Sequence, residues 1–231
     1  MSPAVHIARA LLLLSAHVAS AQVGTPAVGE YVLNDGTWGT LQVQAGGKFR
    51  IESTGANGHV CELGGVIAGG KSRPEGSACQ VSFHSDGQKI KVTSNGVDAC
   101  KDFCGARSWF EGLYQKPPEL CVSQKIQAAR KQFKKEYQAG NYSVALATIE
   151  PVAAQCKPFL YWIQSGWVAN DLALTQFKLG DHAGCIRTLQ GLAPDAALSD
   201  EDIRGKFPPA DSDMYLPVVR ATRTNLKLCR R

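Results

Sequence analysis

The sequence has no apolar run long enough to cross a membrane as a helix. Its most continuous apolar stretch, from Ala10 to Ala19, is broken by Ser15 and His17. Ten residues of helix fall well short of a hydrocarbon core roughly 30 Å thick. The motifs of common hydrolases are also missing: no Gly-x-Ser-x-Gly elbow presents a nucleophile, and no His-Glu-x-x-His pairs two ligands on a helix face. A phosphate-binding loop is not expected either. Histidine is scarce, at five residues, and neither His59, His84 nor His182 has a second histidine at ligand spacing. Cys100 and Cys104 are the only close cysteine pair, with no second pair to complete a tetrahedral zinc set. No metal or cofactor is therefore expected. With no pair singled out among the twenty acidic residues, the chain reads as a binding protein rather than an enzyme.

What is present begins with a targeting signal. Arg9 precedes Leu11, Leu12, Leu13 and Leu14, and Ala19-Ser20-Ala21 supplies small residues around a cleavage point. That order predicts a signal peptide cut behind Ala21, export to the periplasm or outside the cell, and no membrane anchor. All eight cysteines lie beyond the cut, an even number in an oxidising compartment. Cys61 and Cys79 flank an expected hairpin, and Cys100 with Cys104 would close a short loop. Cys121 and Cys156 stand at the outer ends of an expected helical hairpin, leaving Cys185 to join Cys229.

The rest of the chain divides at Lys116-Pro117-Pro118. Residues 22–118 hold seventeen of the twenty-three glycines and nine basic against nine acidic side chains. Thr40 to Gln44, Lys48 to Glu52 and Gln88 to Thr93 alternate polar and apolar residues, with Gly46-Gly47 and Asp86-Gly87 as turn signals. Further strands are expected near Tyr31 to Leu33, Val60 to Leu63, Cys79 to Phe83 and Trp109 to Tyr114. Together they predict a disulfide-stapled antiparallel barrel or sandwich. This half is loosely similar in size and style to the small secreted barrels of lysozyme inhibitors, without a shared residue motif.

Residues 119–231 change to helical periodicity and carry fifteen basic against eleven acidic side chains. Ile126, Ala129, Phe133 and Tyr137 recur at spacings of three and four, as do Tyr142, Ala145, Leu146, Ile149 and Val152. Ile163, Trp167, Leu174 and Phe177, then Ile186, Leu189 and Leu192, repeat that design about forty residues later. Tyr137-Gln-Ala-Gly-Asn-Tyr142 aligns with Phe177-Lys-Leu-Gly-Asp-His182, each reading as a helix stop followed by a helix start. With Ala145-Leu146 and Cys185-Ile186 behind them, these segments resemble tetratricopeptide repeats, although the period is longer than that family's usual one. The resemblance implies helical hairpins that bind polypeptide. The fold class expected is α+β in two domains, with a solvated acidic loop from Asp195 to Asp213 and a last helix from Asp213 to Cys229 that takes Pro217 in its first turn.

Two basic clusters offer a candidate binding surface. Arg130, Lys131, Lys134 and Lys135 form one, and Arg220, Arg223 and Lys227 the other, continued by Arg230 and Arg231. They suit an acidic protein surface or an anionic envelope polymer. Expected export makes nucleic acid an unexpected partner. The function expected is an exported, monomeric, non-catalytic protein that presents a helical surface to an envelope or secreted protein. An inhibitor or immunity protein against a cell-wall hydrolase and an enzyme acting on envelope glycan are the alternatives.

Overall fold

The structure is a computed structural model that describes residues 26–231, so the expected signal peptide and its cleavage point lie outside the described residues. The first half is an antiparallel, nearly closed barrel. Its strands are β1 (Gly29–Asp35), β2 (Thr37–Val43), β3 (Lys48–Thr54), β4 (Val60–Val66), β5 (Lys71–Ser72), β6 (Val81–Ser85), β7 (Lys89–Ser94) and β8 (Gly112–Gln115). They lie in the order β4-β3-β2-β1-β8-β7-β6-β5. Period-two patterning produces this arrangement, because alternate residues of β2 and β3 point inward and the rest face out. Tyr31, Leu41, Ile51, Phe83, Ile90 and Tyr114 fill the interior.

Each expected strand is present, with one correction and one addition. The last strand begins at Gly112, beyond Trp109, which precedes it as irregular chain. The added strand, β5, has only two residues, too few to show an alternation. It leaves a tight turn in which Ala68 and Lys71 exchange backbone hydrogen bonds of 2.8 and 3.1 Å. Gly69 and Gly70 have φ of 57° and 73°, the left-handed pair that such a two-residue turn requires.

All eight cysteines are paired, which points to an oxidising extracellular or periplasmic location. The pairing in the barrel differs from the expected one. Cys61 joins Cys104 and Cys79 joins Cys100, so neither Cys61–Cys79 nor Cys100–Cys104 forms. The reason is topological. Cys61 and Cys79 do not flank a simple hairpin, because β4 and β5 are the two opposite ends of the sheet order. The segment carrying Cys100 and Cys104 crosses between them and gives one cysteine to each side, with Cys61 and Cys104 also forming a β-bridge. Both expected pairs in the helical half are present, Cys121–Cys156 and Cys185–Cys229.

The second half is helical: α1 (Ser123–Gln138), α2 (Tyr142–Gln155), α3 (Trp162–Lys178), α4 (His182–Leu189), α5 (Ala193–Ala196), α6 (Asp200–Lys206) and α7 (Pro209–Cys229). The turns between α1 and α2 and between α3 and α4 are built alike. Gly140 and Gly180 have φ of 80° and 82°. The Asn141 and Asp181 amides both donate back five residues, to Glu136 and Gln176. Asp181 also caps α4 by accepting from the Gly184 amide at 2.7 Å, whereas Asn141 turns its amide to Glu136 instead. Antiparallel return of the first hairpin brings Cys121 to Cys156.

Two expectations in this half need correction. The acidic segment after Asp195 contains helix rather than loop alone, since Ser199 and Asp202 form a reciprocal capping box that starts α6. The last helix starts at Pro209, so Pro217 sits in its interior. Phe207-Pro208-Pro209 is the true start signal, with proline at the first helical position, where its missing N–H costs nothing. Along the middle of α7, the Asn170, Thr222 and Asn225 side chains bond to one another and to α3 carbonyls, so these buried polar groups fix the register of α7 on α3.

The barrel caps both the first and the last long helix. Glu30 of β1, 7% exposed, accepts 2.9 Å bonds from the Ser123 amide and hydroxyl at the start of α1. Asn57, between β3 and β4, accepts from the Ala210 amide at 3.1 Å and donates its own amide to Asp211 at 2.8 Å. Asn34 and Trp38, from the β1–β2 hairpin, donate to the carbonyls of Pro158 and Phe159 in the turn before α3. These groups position the helices, including the pair that forms the site described next.

Candidate functional site

Amphipathic spacing on α1 places Phe133 inward and Tyr137 half-buried, while Arg130, Lys131 and Lys134 follow the same helix edge toward α3. Across from them α3 presents Asp171 and Leu174. The space between is an open groove of about 660 Å³, completed by Gln138. Its floor is aromatic and aliphatic and its α1 wall is cationic. One carboxylate stands within it.

That carboxylate faces the Arg130 guanidinium at 3.6 Å, an ionic contact too long for a hydrogen bond. The Arg130 Nε is shielded from solvent and has no hydrogen-bond partner. Arginine carries five N–H donors, so this one is under-coordinated. Burial pushes the Asp171 carboxyl up to about 6, against the opposing pull of Arg130 and then Lys134. Because the folded value lies above the unfolded one, the associated stability is complete below about pH 4 and is lost as the pH rises through 6. Asp171→Asn is accordingly expected to stabilise the protein by about 2 kcal/mol at pH 8 and not at all at pH 4. Urea unfolding at the two pH values reads this directly, and an equal effect at both would contradict it.

The remaining basic residues are placed differently. Lys135 is exposed and outside the groove lining. Arg220 and Arg223 both bind Asp200, and Arg223 also donates to the carbonyls of Ala196 and Leu198. Their charge is spent on tethering α7 to the start of α6. Lys227 is exposed on α7, away from the α1–α3 groove. Of the seven candidate surface residues, Arg130, Lys131 and Lys134 come together in one cavity. Asp171 was absent from the expected surface, and nothing in a lone aspartate on an amphipathic helix marks it out.

A larger hollow, of about 940 Å³, lies among α2, α3 and the end of α4. Ala153, Ala154, Gly166 and Ala169 contribute small surfaces to it, and Glu150, Lys157 and Arg187 mix both signs of charge around it. It lacks the convergence of like charge seen between α1 and α3.

The expectation that the chain holds no phosphate loop needs correction at the level of sequence. Gly65-Val-Ile-Ala-Gly-Gly-Lys-Ser72 has the Gly-x-x-x-x-Gly-Lys-Ser spacing of a phosphate-binding loop. Such a loop works by opening a helix with free backbone N–H groups. Here it is the tight turn that leads from β4 into β5, the Ala68 and Lys71 amides are used within the turn, and the chain continues as strand. Ser72 is buried in the barrel. The match therefore carries no nucleotide chemistry.

Among the described residues no group of three or more His, Cys, Asp or Glu side chains converges as a metal set, and no helix is long and apolar enough to cross a membrane. Comparison with protein families, curated proteins and solved structures finds no match to this chain.

Proposed function

We propose that this is an exported, non-catalytic binding protein whose α1–α3 groove takes an acidic segment of an envelope or secreted protein. The observation that carries the reading is the alignment of Arg130, Lys131 and Lys134 along one wall of a cavity floored by Phe133, Tyr137 and Leu174. Cations above an apolar floor suit an extended polypeptide that offers carboxylates on one side and aliphatic stems on the other. The two equivalent helix–turn–helix units favour a tetratricopeptide-like arrangement, in which short helical arrays serve as scaffolds for polypeptide recognition. On this reading the barrel is the brace that holds the first and last long helices through Glu30 and Asn57.

A fluorescent hexaglutamate peptide tests it, with hexaglutamine as control. Binding to the oxidised protein should be selective for hexaglutamate and should weaken with added salt. The double variant Lys131→Gln/Lys134→Gln, altered at exposed sites that no described ion pair uses, should bind roughly fivefold more weakly. Equal affinity for both peptides, or an unchanged double variant, would count against the groove.

A further inference from the structure

We propose that Asp171 is a built-in competitor for the anion that the groove takes. Its carboxylate holds Arg130 until a carboxylate of the incoming acidic segment replaces it or mild acid neutralises it, so binding tightens as the pH falls. This inference rests on the groove reading above and adds its regulation.

The geometry supplies three parts of the case. Asp171 is the only carboxylate that lines the groove among the described residues, and it lies opposite the cationic wall. Its 3.6 Å contact with Arg130 is ionic but loose. The Arg130 Nε–H is out of solvent and unpartnered, so the hydrogen bonding of this guanidinium is incomplete. A free carboxylate can approach a guanidinium in the paired, two-bond geometry that Asp171 does not reach from α3. The intramolecular contact is thus a place-holder that a ligand can improve upon.

The groups facing Asp171 come from α1. They are Arg130 and Lys134, with Lys131 also on that wall and Tyr137 below. The Tyr137 hydroxyl is itself held above its ordinary range by burial first and then by the charges of Tyr142 and Asp171. Neither α2, α4 nor α7 contributes an ionisable side chain to the groove lining, and none of His59, His84 and His182 is in it. A transition near pH 6 therefore matches Asp171, whose carboxyl burial raises to about 6. Below that pH the wall gains one net positive charge and Arg130 is released.

The experiment uses the same hexaglutamate probe between pH 7.5 and 5.5 at constant ionic strength. Free glutamate side chains titrate near 4.3, so the probe stays largely ionised over this window. The ionised form of Asp171 dominates at the upper end and is the minority at the lower one. If only the neutral form leaves Arg130 available, the apparent Kd falls by up to roughly 25-fold on acidification, the ratio of the neutral fractions at the two pH values. Asp171→Asn, isosteric and uncharged, should bind at both pH values with the tight, acid-form affinity and lose the dependence. His182→Gln, altering the one histidine of the helical half, should keep it.

Four results would overturn the proposal. Wild-type affinity that is flat with pH yet falls on Lys131→Gln/Lys134→Gln removes the competitor and leaves the groove. PH dependence that survives Asp171→Asn assigns the titration elsewhere. Weaker binding by Asp171→Asn at both pH values makes Asp171 a positioning residue for Arg130. Failure of wild type and Asp171→Asn alike to bind at any pH overturns the groove reading itself.

Discussion

Replacing Cys61 and Cys104 together by alanine should lower the unfolding free energy by about 4 kcal/mol, the largest loss expected from any double substitution considered. Their separation of 43 residues sets the chain-entropy part of that figure. Topology adds to it. Cys61 lies on β4 at one end of the sheet order, and the Cys100–Cys104 segment runs from there to Cys79 near the other end. Cutting the first bridge frees one side of the seam, and the barrel core of Phe49, Ile51 and Leu63 loses its lateral closure. Against a total stability of about 5–15 kcal/mol, this removes between roughly a quarter and most of the margin.

The same variant decides the connectivity. With Cys79–Cys100 intact, thiol titration of the unfolded double variant gives no free cysteine. The pairing Cys61–Cys79 with Cys100–Cys104 would instead leave Cys79 and Cys100 both reactive. Two titratable thiols in an otherwise homogeneous protein would refute the lacing of the seam.

This pairing also shows where sequence reading stops. Strand positions were legible because alternation and glycine-rich turns are local signals, and the Cys121–Cys156 bridge followed from two helices of similar length folding back. Cys61–Cys104 depends on which strands lie at opposite ends of the sheet order, and period-two patterning carries no information on that order. The capping box at Ser199 and Asp202 was readable, being a local Ser-x-x-acid pattern, yet a run of acids draws the eye to charge rather than to helix initiation. In the groove, the cationic half was visible as Arg130, Lys131 and Lys134 at helical spacing. Asp171 was not, because its role arises from the packing of α3 against α1 about forty residues away. The ion pairs of Arg220 and Arg223 were hidden for the same reason: their partner, Asp200, is brought to them by the turn between α6 and α7.

The last expected result concerns Asn57, and its substitution by alanine should destabilise the protein by about 2–3 kcal/mol. Two independent causes contribute. Asn57 has φ of 60° and ψ of 31°, a left-handed conformation that costs an alanine roughly 1–2 kcal/mol and that asparagine tolerates. Its side chain also does what the residue preceding α7 cannot. Pro208 occupies the cap position with no side-chain acceptor, so the Ala210 amide finds its acceptor in Asn57, 153 residues away in sequence. Loss of a helix cap costs about 1 kcal/mol. The bond from the Asn57 amide to Asp211 makes the cap reciprocal, and Asp211 is only 6% exposed, so disturbing the loop also weakens the sole described partner of a buried carboxylate. Asn57→Gly separates the causes, since glycine accepts the backbone and lacks the cap, and should lose only about 1 kcal/mol. Hydrogen exchange locates the effect: in both variants the Ala210 amide and the first turn of α7 should exchange faster, while the middle of α7, held by Asn170 and Asn225, stays protected. Equal stability of the alanine and glycine variants would remove the backbone contribution, and unchanged exchange at Ala210 would show that α7 does not depend on the barrel for its cap.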